Sequence, residues 1–159
     1  MWHYRLLRFL EGSGPDGDGR FIDEVLAFDD TQIEHVHTFV QWLFPLDEPS
    51  RAQPHSPVLV EGEAELIRQS NLAQQNLLMA TERMLAFYSL NRHWLGRLDH
   101  NHLRISRIIA SLRLLRGEFA AAMFLREIEA LVDKGGNLVN PESRKYWRRA
   151  LGGTRLPFE

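Results

Sequence analysis

Cysteine is absent from this chain of 159 residues. That excludes disulfides, thiolate nucleophiles and zinc sites built on sulfur. It also suits a reducing compartment, so a cytoplasmic location is expected. Long apolar runs are missing as well. None approaches the roughly eighteen residues of a membrane span, so no transmembrane segment is expected. The opening MWHYRLLRFL is too short and too charged for a signal peptide, and no small-residue cleavage site follows it. An excess of one charge sign is lacking too. A formal net charge of −2 gives no general pull toward nucleic acid or acidic lipid. No internal repeat is present. Neither HExxH, GxSxG nor a P-loop occurs, so the common zinc-protease, serine-hydrolase and nucleotide-binding signatures are excluded. No run of alternating apolar residues flanks a hairpin turn, which argues against a sheet.

What remains is the composition of an ordinary folded protein. Hydrophobic residues make up 44% and charged residues 25%, enough apolar material for a continuous core, and one domain over 1–159 is expected. Helical segments are predicted over residues 2–10, 21–28, 31–44, 62–70, 71–90, 101–116, 118–134 and 141–151. The loop EGSGPDGDGR (11–20) and the proline segment PLDEPSRAQPHSP (45–57) interrupt them. Asp29, Asp30 or Thr31 can cap 31–44, with Glu34 three residues after Thr31 as a capping box, and Pro45 stops that helix. Asp99 or Asn101 is expected to cap 101–116, and Gly117 to end it. Asn140 followed by Pro141 suits a helix start. The expected fold is all-α: a multi-helix globule of about six to eight helices, not a coiled coil.

Chemistry-bearing residues gather on two of these helices. On a continuous helix 31–44, Ile33, Val36, Val40, Leu43 and Phe44 form the apolar stripe. Glu34, His37 and Gln41 then form one polar column beside it, and Trp42 points away toward a second contact surface, so this helix is either sandwiched between two layers or exposes an aromatic. On helix 101–116, Ile105, Ile108, Ile109, Leu112 and Leu115 form the stripe, with Asn101 in line at its amino end. His100, Arg104, Arg107 and Ser111 flank it. Free N–H groups at the helix start, with His100 and Arg104, make an anion site chemically plausible there. The bland readings are a satisfied structural histidine, a solvated arginine face and tryptophans that only pack. Asp16 and Asp18 alternate like the start of a calcium loop, but Arg20 occupies the third ligand position. His35/His37 and His100/His102 diverge as i, i+2 pairs, so no metal site is expected. The basic cluster Arg144, Lys145, Arg148 and Arg149 carries no nucleic-acid motif, and nucleic acid is not an expected partner.

The stretches PDGDGRFIDEVL, EHVHTFVQWLFPLDEPS, MLAFYSL and DHNHLRISRIIASLRLL occur together and in order. On them, residues 15–116 resemble the conserved amino-terminal region of the opioid growth factor receptor family, with 117–159 adding carboxy-terminal helices. The resemblance implies an all-helical region and a receptor for the opioid pentapeptide met-enkephalin. Animal members are associated with the nucleus and nuclear envelope, and are unrelated to the seven-helix opioid receptors. No catalytic residue and no cofactor is implied. The chain is similar to a compact, stand-alone version of the kind found in bacteria.

Three functional expectations follow. The first is a soluble helical binding domain for a small peptide or anionic ligand, with Glu34, His37, Gln41 and Trp42 on one wall and His100, Asn101, Arg104 and Arg107 on the other. The second is acid–base catalysis by His37 and His100 in a shared dry cleft. The third is a structural protein in which the same polar columns form an internal lattice with no small-ligand site.

Overall fold

The computed structural model describes residues 3–152, and among them nine α-helices and one 3-10 turn form, with no strand. The all-helical expectation holds. The chain divides into two compact units, Met1–Arg83 and Met84–Glu159.

The first unit starts with α1 (Arg5–Leu10), which buries Leu6, Phe9 and Leu10. α2 (Ile22–Leu26) and α3 (Asp30–His35) follow, then α4 (Val40–Leu43), α5 (Glu63–Gln69) and the start of α6 (Asn71–Leu90). α1 packs on α4 and α5. Phe9 meets Trp42 edge-on at 5.5 Å between centroids, and Phe28 meets Phe39 in the same way. Glu63 locks α1 to α5 from inside. Its carboxylate is buried and accepts the Leu7 N–H at 2.9 Å and the Val60 N–H at 3.0 Å.

The predicted helix 31–44 is broken in two. Of the three expected caps, Asp29 is the one that forms: the Asp29 carboxylate accepts the Gln32 N–H, while Gln32 Oε1 accepts the Asp29 N–H. α3 then ends at His35, and Val36 is extended (φ −87°, ψ 123°). The run HVHTF offers weak helix formers. The loop before α2 takes hold of Thr38: the Arg20 guanidinium donates to Thr38 Oγ1 at 3.1 Å, and the Thr38 hydroxyl donates to Asp18 at 2.9 Å. The polar column Glu34–His37–Gln41 therefore does not exist as a helix face. Glu34 lies on α3, His37 is exposed in the break, and Gln41 sits on α4.

The second unit has α7 (Asn101–Leu115) packed against α8 (Glu118–Lys134) and α9 (Pro141–Leu151). The stripe Ile105, Ile108, Ile109, Leu112 and Leu115 is buried as expected. So are Asn101, His102, Arg104, Ser106, Arg107 and Ser111, which leaves α7 only a narrow exposed strip that includes Leu103 and Arg113. Asn140 caps α9 by accepting the Ser143 N–H at 2.8 Å, with Pro141 in the first turn. Gly117 separates α7 from α8 at φ 109°, a backbone angle that suits only glycine.

Candidate functional site

A cleft of about 270 Å³ opens in the first unit. Gly17 and Asp18 of the glycine-rich loop form one rim, and Thr38 in the α3–α4 break another. Gln41 and Trp42 of α4 line the interior, and Gln53, His55 and Ser56 close it from the proline segment. That segment is held in shape by a local turn, in which the Ser56 hydroxyl and N–H both donate to the Gln53 carbonyl, at 2.6 and 2.9 Å.

The loop is built around Asp16, whose carboxylate is fully enclosed. It accepts the N–H groups of Asp18 and Arg20 at 2.9 Å each and the Arg20 Nε–H at 2.7 Å. Arg20 thus fills the position in which a calcium loop would place an oxygen. Asp16 takes up most of the Arg20 charge, leaving Asp18 with only a longer, 3.3 Å contact to the same guanidinium.

Trp42 is buried, the sandwiched one of its two expected placements. Its ring lies 5.5 Å beneath the Arg5 guanidinium, and its Cζ2–Nε1 edge faces Gly17, where an added Cβ would sit 3.5 Å from Cζ2. Gln41 is the unusual residue. It is 8% exposed, and its Oε1 is buried with no hydrogen-bond donor in reach. Buried side-chain oxygens are nearly always satisfied, so an orphan in the wall of a cleft needs a reason.

The other half of the sequence-predicted site sits at the start of α7 in the second unit. The anion seat proposed there is already filled from within the protein. The Asp99 carboxylate accepts the Asn101 N–H and the Asn101 side-chain amide at 2.9 Å each, and the Asp99 carbonyl accepts the His102 N–H. Asn101 also accepts from the Tyr88 hydroxyl at 3.2 Å, and the Arg104 guanidinium donates to it at 3.5 Å. Arg104 and Arg107 are buried along α7, whereas His100 is exposed. His37 and His100 are therefore both exposed, not in the dry surroundings that acid–base chemistry was expected to need.

The buried imidazole of this unit is His102. Its Nε2–H donates to the Trp94 carbonyl at 2.7 Å, which leaves Nδ1 as the acceptor facing the Ser143 hydroxyl at 3.3 Å. Burial pushes its pKa down, against the Trp94 carbonyl and Asp99, which favour the charged form; His100 adds a small push in the same direction as burial. A second, more apolar cleft of about 570 Å³ borders His100 and His102, with Leu98, Leu103 and Tyr146 among its walls. Two residues of the basic cluster on α9 face acids of α8: Arg148 reaches Glu129 at 3.1 Å, and Arg144 lies 3.6 Å from Asp133.

Residues 7–93 match the family described as the opioid growth factor receptor (OGFr) conserved region. The chain belongs to the opioid growth factor receptor family. Among its curated relatives, opioid growth factor receptor-like protein 1 of Mus musculus is 33% identical over 80% of this chain and 32% of its own length. The opioid growth factor receptor of Homo sapiens is 32% identical over 69% of this chain and 19% of its own length. The chain thus spans about a third or less of the length of these relatives. No solved structure matches it. The family match runs from within α1 through α6, takes in every residue lining the first cleft, and ends before the start of α7.

In this family member the cleft draws on both signature stretches of the first unit, PDGDGR and HTFVQWLFP. Sequence reasoning named Gln41 and Trp42 but missed Asp18, Thr38, Gln53, His55 and Ser56. The family-like stretches already held Asp18 and Thr38, but no periodicity links positions so far apart. Gln53 to Ser56 lie in a proline segment read only as surface chain. Among the described residues no helix is long and apolar enough to cross a membrane. No group of three or more metal-ligating side chains gathers there either.

Proposed function

We propose that this chain is a helical peptide-binding domain, and that it holds one end of a small peptide in the cleft lined by Gln41 and Trp42. The observation behind this reading is the orphaned Gln41 Oε1, a buried acceptor on a residue that lines a formed, partly apolar cleft. At roughly 30 Å³ per water, the cleft holds about nine waters, too little for a whole pentapeptide but enough for a terminus. The relatives carry the name of opioid growth factor receptors, so receptor activity toward an opioid peptide is the function proposed here. Of the residues singled out from the sequence, this reading keeps Gln41 and Trp42 as ligand contacts. It gives Asn101, Arg104 and Arg107 a structural part within α7. In this reading the protein works in a reducing compartment such as the cytoplasm, which its lack of cysteine suits.

The test is calorimetric titration of the protein and of Gln41→Leu with met-enkephalin and with a peptide of the same composition in scrambled order. Saturable binding of met-enkephalin by the native protein, weakened at least tenfold by Gln41→Leu, is the expected result. Equal and negligible binding in every arm removes the reading.

A further inference from the structure

The cleft also carries information about which chemical group enters it, an inference that rests on the binding reading above. Two oxygens of its lining residues lack a full set of donors. Gln41 Oε1 is buried and unsatisfied. Asp18 engages Thr38 and Arg20 through Oδ2 alone, and its carboxylate is more than half exposed at the rim. Asp16 and Asp18 together outweigh the single positive charge of Arg20, so the loop contributes a net negative charge to this side of the cleft. A neutral donor would satisfy Gln41 but make no use of Asp18. A carboxylate would meet two acceptors and be repelled. A protonated amine presents three N–H donors and one positive charge, which answers both oxygens at once.

We propose that this cleft recognises a primary ammonium group, such as a peptide amino terminus or a small arylalkylamine. Asp18 supplies the counter-charge at the rim, and Gln41 supplies the buried acceptor. The apolar part of the ligand packs against Trp42, beside the Cζ2–Nε1 edge that faces Gly17.

Phenethylamine, N-acetylphenethylamine and 3-phenylpropanoate test this directly, titrated into the full chain while the indole N–H resonance of Trp42 is followed by NMR. The amine is expected to bind at least tenfold more tightly than its acetylated form, and 3-phenylpropanoate not to bind. Asp18→Asn and Gln41→Met are each expected to weaken the amine about tenfold with unchanged circular dichroism. Gly17→Ala places a methyl against the indole edge and is expected to weaken the amine without touching either oxygen.

Met-enkephalin with a free and with an acetylated amino terminus separates this inference from the peptide reading. Equal binding of the two peptides leaves the peptide reading standing and overturns ammonium recognition. Amine binding that depends on Asp18, with no competition from the peptide, does the reverse. Preference for 3-phenylpropanoate means that the buried end of the Gln41 amide is its NH2 group, and this too overturns the proposal. Absence of binding by every probe and peptide removes both.

Discussion

Gln41 and Glu63 show opposite ways of burying a polar side chain. Glu63 accepts two backbone N–H groups, from Leu7 and Val60, and so holds α1 and α5 together. Removing its carboxylate orphans both donors. Glu63→Ala is expected to destabilise the fold by about 2–3 kcal/mol, read from urea unfolding, with a smaller loss for Glu63→Gln, which keeps one acceptor. Gln41 has no such compensation at Oε1. Replacing it with an apolar side chain of similar volume removes a buried, unsatisfied group. Gln41→Leu is therefore expected to raise the unfolding midpoint of the ligand-free protein, by up to about 1 kcal/mol in stability, while it lowers ligand affinity. A marked loss of stability in Gln41→Leu would show instead that this side chain is a packing element of the core.

Helices whose ends are punctuated by their own sequence were legible in advance. α7, α8 and α9 lie where they were predicted, because Gly117, Gly135 and the Asn140–Pro141 pair act within a few residues of the boundary they set. Asn140→Ala is expected to cost about 1 kcal/mol in thermal unfolding, since it removes the acceptor for the Ser143 N–H. Gly117→Ala is expected to cost more than the usual gain from replacing glycine, because its φ of 109° strains any side chain. The segment 31–44 was not legible. Its apolar spacing fits one helix, but the groups that break it, Asp18 and Arg20, lie about twenty residues earlier. Once the break at Val36 is known, the wheel argument that joined Glu34, His37 and Gln41 no longer applies. The cleft takes the place of that column.

At the scale of the whole molecule, His102 makes stability depend on pH. Burial holds its folded pKa below the ordinary 6.5, so between those two values the unfolded chain binds a proton that the folded chain does not. Stability is full above pH 6.5 and is expected to fall as pH drops through that value toward the folded pKa, because protonation favours the unfolded state. Urea midpoints at about pH 7.5 and 5.5 check this, and His102→Asn is expected to flatten the difference while lowering stability at both. By itself the sequence determined the all-helical class, the family, the stripe of α7 and most helix ends, because periodicity, capping residues and glycines act locally along the chain. Tertiary structure decided the rest. It broke 31–44, enclosed Arg104 and Arg107, filled the start of α7 with Asp99, and brought Asp18, Thr38 and the proline segment around Gln41. Those outcomes depend on hydrogen bonds and burial between residues distant in sequence, and no local pattern encodes which distant partner a polar side chain will meet.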